Sequence, residues 1–377
     1  MVYLDYAAAT PMDPAVLAAM QPYFADQFYN PSATYLAAEQ VRKDLGAARE
    51  RVAHWFGARP SEVVFTAGGT EANNLAIRGV MEQFADCNVV VSAVEHESVL
   101  AAAHQYDCRF AAVNPEGVVD VDKLISKIDD RTVLVSVMYA NNEIGTIQPI
   151  RQISQALEVL RKARKATGNN LPLYLHTDAA QAAAYLDLHT ARLGVDLMTI
   201  NAGKIYGPKQ VGALFVGSHV HLKPQVLGGG QERGIRSGTE NVAGAIGLAT
   251  ALDLVQGRRH EEVTRLQQLQ RLFFDLITDK FPQAVVNGSR KTRLPNNVHV
   301  TFSGQDNERL IFQLDAAGIL CAAGSACSAS SDEPSHVLRA LGKTDEEAQS
   351  SLRFTIGLQT TEEDVRQTVE AIHRAIV

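Results

Sequence analysis

The chain lacks any uninterrupted apolar run near the ~18 residues that a membrane-spanning helix requires. Cysteine is scarce, at four in 377 residues. The N-terminal stretch MVYLDYAAAT has neither the basic start nor the apolar core of an export signal. Together these exclude a disulfide framework and lead us to expect a cytoplasmic protein with no membrane role. An excess of basic charge is missing too: 35 Lys+Arg against 42 Asp+Glu gives a net charge of −7. Nucleic-acid partners call for basic stripes, so none is expected. Cys87 and Cys108 show no metal-ligand spacing and read as inert, and no metal is expected. Internal repeats, low-complexity tracts and Pro/Ser-rich linkers are absent as well.

What is present is material for a large core: 46% of residues are hydrophobic and 20% charged. Val41, Leu45, Ala48, Val52 and Trp55 step by three and four, which puts one apolar stripe on a helix. Short β-branched runs alternate with helical segments: Val63-Val64-Phe65, Val89-Val90-Val91, Val133-Leu134-Val135, Leu173-Tyr174-Leu175, residues 197–200 and 212–216. That alternation predicts an α/β domain with a mainly parallel sheet flanked by helices. From about Ala249 the rhythm changes to a long helix through Val263, Leu266, Leu269, Phe273 and Leu276, followed by strand-like stretches at 297–302, 318–322 and 352–356. The expected organisation is a large domain over 17–248 and a smaller α+β domain made of 1–16 with 249–377.

In open parallel sheets chemistry gathers beyond the carboxyl ends of the strands. The loop after Phe65 reads Ala67-Gly68-Gly69-Thr70 and runs into a helix, a place where backbone N–H groups and the Thr70 hydroxyl can cradle an anion. Glycine pairs at an ordinary helix start look the same, so this alone is weak. His96 follows the next strand, flanked by two glutamates; Asn141-Asn142 follow another. Asp178 lies just past Leu175, where partial desolvation calls for a cationic partner. Lys204 lies among small residues past Ile200, where an amine can act as a nucleophile. A phosphate cradle, a stackable imidazole, a buried carboxylate and an amine on successive strands form the set that pyridoxal phosphate needs.

Downstream, residues 228–239 are glycine-rich with two arginines and read as a mobile surface loop. Arg161-Lys162-Ala163-Arg164-Lys165 reads as a solvated helix end. Cys321 sits in an apolar stretch and reads as structural, whereas Cys327 sits in a run of small residues, on a tether able to carry a thiol into a site.

These residues resemble the group I cysteine desulfurases, class V aminotransferase-fold enzymes that bind pyridoxal phosphate. The matching stretches are YLDYAAATP, FYNPSA, VFTAGGTEANNLAI, VEHESVL, NNEIGTIQPI, LHTDAAQ, KIYGPKQVGAL, GGGQERGIRSGTENV, GSACSASSDEPSHVLRALG and SLRFTIG, in family order over almost the whole chain. The resemblance implies that Lys204 holds the cofactor covalently, Asp178 pairs with its ring nitrogen, and His96 stacks on the ring and moves protons. Asn142 and Gln181 would contact ring substituents, and Gly69 and Thr70 would bind phosphate. Thr239 would reach the partner's phosphate in a homodimer. Arg353, with Asn30 assisting, would clamp the carboxylate of L-cysteine, and Cys327 would take its sulfur. An aminotransferase or selenocysteine lyase on the same fold, or a catalytically weak sulfur-relay scaffold, stays open at this point; a transaminase has no need of Cys327.

Two departures stand out. Housekeeping relatives continue further, in a tail that helps dock the iron–sulfur scaffold protein, so the expected sulfur acceptor is either that scaffold or another protein such as one of tRNA thiolation. Relatives also carry Ser-Gly-His before the lysine, where this chain has Asn201-Ala202-Gly203. The Ser hydroxyl and His donor to phosphate are lost, with Asn201 offering an amide and Gly203 a backbone N–H instead. Losing a hydrogen bond to a charged group costs about 1.5–3 kcal/mol. A Gly203→His variant should therefore bind pyridoxal phosphate roughly tenfold or more tighter than the parent; equal dissociation constants in an absorbance titration would refute this.

Overall fold

The computed structural model describes residues 1–324 and 334–376. Twelve strands are present among them: β1 Val2–Tyr3, β2 Val63–Thr66, β3 Asn88–Ser92, β4 Asp107–Ala111, β5 Thr132–Ser136, β6 Tyr174–Asp178, β7 Leu197–Asn201, β8 Gly212–Val216, β9 Val285–Val286, β10 Asn297–Thr301, β11 Ile319–Leu320 and β12 Ser351–Thr355. Seven of them form one sheet in the order β2-β8-β7-β6-β5-β3-β4. Pairings from β7 through β6, β5 and β3 to β4 are parallel, while β8 runs antiparallel to both its neighbours. The mainly parallel sheet read from the β-branched runs is therefore present, with one reversed strand. No helix among the described residues is long and apolar enough to cross a membrane.

Strand interiors are buried on both faces, which is why β3 and β5 read as unbroken apolar runs. β6 and β7 extend beyond their apolar stretches, through Asp178 and Asn201. The reason is polar pairing across the sheet: His176 bonds Ser136 Oγ at 2.8 Å and Thr199 Oγ1 at 3.1 Å, and Thr177 Oγ1 donates to Val137 O. These groups are satisfied by adjacent strands, so the ladder continues without a hydrophobic signal. The edge strand β4, DCRFA, escaped the apolar reading for the related reason that four of its five residues keep solvent contact.

The remaining strands make two small sheets, β12-β10-β9 and β1-β11. The long helix expected after residue 260 spans Arg259–Lys280. Ala249, where the rhythm changes, lies inside the preceding helix Val242–Gly257, most of whose residues are buried. A single apolar cluster joins Leu4, Phe56, Val135, Phe273 and Phe354, so the small sheets and the large one share a continuous core.

Two surface readings are corrected. Arg164 is buried, donating to Thr132 O and Asp129 O, and Arg161 bonds Leu173 O and Asp196, so that basic run staples a helix onto the sheet. The loop 228–239 is pinned as well. Glu232 is buried, takes a two-pronged bond from Arg49 at 2.6 Å for each oxygen, and accepts from Phe65 N. Charges removed from water in this way hold only while paired. Burial also raises the thiols of Cys108 and Cys321, to about 11 and about 12, and that of Cys87, which leaves all three poor nucleophiles at neutral pH. Replacing Arg49 by Ala strands the Glu232 carboxylate and should cost about 3–5 kcal/mol, measured by denaturant unfolding; a loss below about 1 kcal/mol would show that the pair is effectively solvated.

Candidate active site

One cleft opens at the carboxyl ends of β5, β6 and β7, closed on its far side by residues 7–8 and by β12. It is lined by Gly69, Thr70, His96, Asn142, Asp178, Gln181, Asn201, Lys204 and Arg353, nine of the residues singled out in the sequence.

The anion end is built by close backbone approach. Gly68 has φ 127°, a conformation in the glycine region, and turns the chain from β2 into the helix Gly69–Met81. A Cβ on Gly212 would lie 2.7 Å from the Gly68 carbonyl carbon, so the adjacent strand also needs glycine to pass. A Cβ on Gly69 would come within 3.3 Å of the Asn201 side chain, which marks the narrow cradle between them. Asn201 Oδ1 accepts from Gly203 N at 3.2 Å, leaving its amide nitrogen as the donor on the Gly69 side. Gly203 itself is buried behind the cleft, and its N–H is spent on Asn201 rather than directed at a ligand. That expectation is corrected: the 3₁₀ turn Ala202–Lys204 points this amide back at its own cap.

Asp178 ends β6 almost buried, accepting from Asn73 Nδ2 at 2.7 Å and from Ala180 N at 2.9 Å. Asn73 also donates to Ser98 Oγ at 2.8 Å, and Ser98 Oγ lies 2.8 Å from His96 Nδ1. Because Ser98 N donates to His96 Nδ1, the proton of the neutral ring is assigned to Nε2. Asp178, Asn73, Ser98 and His96 thus form one connected polar chain. Asn73 and Ser98 were missed in the sequence; Asn73 lies one helical turn past Gly69 and so shares its face.

Lys204 is delivered by the turn that follows β7. Its Nζ donates to Ala7 O at 2.8 Å and Ala8 O at 2.6 Å, and Gln181 Nε2 donates to Ala7 O at 3.0 Å. Arg353, 1% exposed on β12, pairs with Asp5 at 2.7 Å and donates to Asn142 O at 3.1 Å, while its Nε has no partner among the described residues. The Arg353 guanidinium lines the cleft, where a cation can receive a carboxylate. The roles of Ala7, Ala8 and Asp5 were not visible as chemistry in the sequence, although all three lie within YLDYAAATP.

Two expected contributors lie elsewhere. Asn30 is exposed, with its side chain capping Ser32 N. Thr239 faces a separate hollow beside Thr66, Arg236 and Glu240. Cys327 falls outside the described residues.

The donor set fits pyridoxal phosphate: a backbone cradle with a hydroxyl and an amide for the phosphate, a buried carboxylate for the ring nitrogen, and an amine between them. Comparison with known proteins agrees. The family model Aminotransferase class-V matches residues 2–368. The chain is 40% identical to the cysteine desulfurase IscS of Dictyoglomus turgidum, covering 100% of this chain and 94% of that one, and 39% identical to cysteine desulfurase IscS 1 of Archaeoglobus fulgidus, covering 99% and 96%. Among solved structures, a NifS-like protein superposes with a TM-score of 0.90 at 30% identity, over 100% of this chain and 99% of that one. SspA in complex with cysteine gives 0.81 at 32% identity, over 94% and 99%.

Burial depresses His176 below the cleft to about 4 and His299 behind Arg353 to about 3, from an ordinary 6.5. The unfolded chain therefore takes these protons first, so the stability from both neutral rings is complete above pH 6.5 and is lost as the pH falls towards 4 and 3. Thermal midpoints measured across this range should fall steadily from pH 6.5 downwards; midpoints flat to pH 4 would contradict the buried neutral imidazoles.

Proposed function

This chain belongs to the class-V aminotransferase family and to the cysteine desulfurases within it, and from that premise we propose that it converts L-cysteine to L-alanine, placing the sulfur on Cys327 as a persulfide. It is a pyridoxal phosphate-dependent enzyme. The reading is carried by the meeting of Lys204, Asp178, His96 and Arg353 with the Gly69, Thr70 and Asn201 cradle in one cleft.

When bound, the cofactor supplies an electron sink for the negative charge left on the substrate α-carbon. Gly69, Thr70 and Asn201 hold its phosphate, and Asp178, kept in place by Asn73 and Ala180 N, favours a proton on its ring nitrogen. Lys204 would be the covalent anchor, and its amine would take the α-proton with help from His96. Gln181 and Asn142 orient the ring, and Arg353 holds the substrate carboxylate. The Cys327 thiolate attacks the substrate sulfur: a new S–S bond forms, the carbon–sulfur bond breaks with its electron pair left on the β-carbon, that carbon takes a proton, and the α-proton is returned from Lys204 to the α-carbon to give alanine. The persulfide sulfur then passes to an acceptor protein of iron–sulfur cluster assembly or tRNA thiolation in the cytoplasm. In this reading residues 17–248 form the cofactor-binding domain, 1–16 with 249–377 form the smaller one, and a homodimer lets Thr239 complete its neighbour's phosphate site.

The purified protein should show a yellow near-visible band that shifts on addition of L-cysteine. Lys204→Ala should lose the covalent band, and Cys327→Ala should keep the cysteine-induced shift while alanine release falls to background. Alanine release undiminished in Cys327→Ala would sink the persulfide reading, and a protein that stays colourless with added cofactor would sink the enzyme reading altogether.

A further inference from the structure

Thr70 is followed directly by a carboxylate. Glu71 occupies the first turn of the helix Gly69–Met81, with Oε2 accepting from Ala67 N at 2.9 Å, so its charge sits at the same positive helix end that forms the anion cradle. A carboxylate there competes with a phosphate for the field of the helix and repels it. The Glu71 and Arg236 side chains are only 24% and 22% exposed, which limits how much water screens that repulsion.

Arg236 answers this charge from the loop 228–239. Its Nε donates to Glu71 Oε1 at 2.7 Å and its Nη2 to Oε2 at 3.2 Å, so both carboxylate oxygens are covered. The loop reaches this position through two consecutive non-glycine residues in the left-handed region, Glu232 at φ 48° and Arg233 at φ 59°. Such backbone persists only where its surroundings hold it. Here Arg49 clamps Glu232, and Arg233 Nη2 donates to Val63 O at 2.8 Å.

We propose that Arg236 is a positioning residue for the phosphate end of the cleft, cancelling the Glu71 carboxylate so that the first turn of Gly69–Met81 can take a phosphate dianion. The inference rests on the reading of Gly69, Thr70 and Asn201 as the phosphate cradle. It differs from a simple staple of the loop, because a staple would matter equally for ligands with and without phosphate.

The test compares dissociation constants of pyridoxal phosphate and pyridoxal, by absorbance titration of the full chain at low salt, for the parent, Arg236→Gln and Glu71→Gln/Arg236→Gln, with thermal unfolding run in parallel. In Arg236→Gln the preference for the phosphorylated ligand should fall by about tenfold. The double variant should recover most of that preference, since neutralising Glu71 removes the repulsion without restoring the loop contact. Equal weakening of both ligands in Arg236→Gln, or a double variant that recovers nothing, overturns the proposal in favour of a staple. A parent protein that binds the two ligands equally well refutes the phosphate cradle, and the role of Arg236 with it.

Discussion

The site depends on how residues 5–10 are laid across the carboxyl end of the large sheet. Thr10 is the pivot: its N–H and hydroxyl both donate to Gly203 O, and its hydroxyl oxygen accepts from Tyr206 N. With Thr10 fixed on either side of Lys204, the carbonyls of Ala7 and Ala8 reach the lysine amine and Asp5 reaches Arg353. Ala7 N donates to Thr355 Oγ1 on β12, so the same short segment also ties the small sheet to the large one. Every contact in this bridge is a hydrogen bond to a backbone atom or to a buried charge. Its geometry is therefore specified by direction as well as by apolar burial.

Beneath that bridge, charge is handled by pairing and desolvation. Glu232 pairs with Arg49 and Arg353 with Asp5, each with a counter-charge within hydrogen-bond reach. His176 and His299 have none, and burial leaves them neutral. Glu95, wholly buried with the Met138 amide donating to one of its oxygens, has its pKa raised by burial and by neighbouring Asp178. The cleft thus gathers Asp178, Lys204 and Arg353 at its wall, where a ligand can meet them, above a layer of neutral polar groups. This gradient allows several charged side chains to converge on one small volume without unfolding the sheet that carries them.

Much of this was legible in the chain. The β-branched runs located the central strands, because strands buried on both faces must be apolar throughout. The residues following them proved to line one cleft, because the carboxyl ends of parallel strands share an edge of the sheet. The reading failed where polarity and burial part company. Arg164 and Glu232 look like surface charges, yet both are buried and satisfied by partners remote in sequence. Gly203 looked like a free donor, until the cap it forms with Asn201 used its amide.

The order of residue types along the chain was sufficient to establish an α/β protein, the residues at its strand ends and the chemistry they can support. These follow from local periodicity and side-chain identity. The pairing of Asp5 with Arg353 across 348 residues, of Arg236 with Glu71 across 165, and of Lys204 with two backbone carbonyls of the opposite end emerged from folding alone. Such contacts leave no periodic trace in a sequence. They exist because burying a charge or an amide obliges the chain to find it a partner, and which partner lies within reach is set by how the sheets pack.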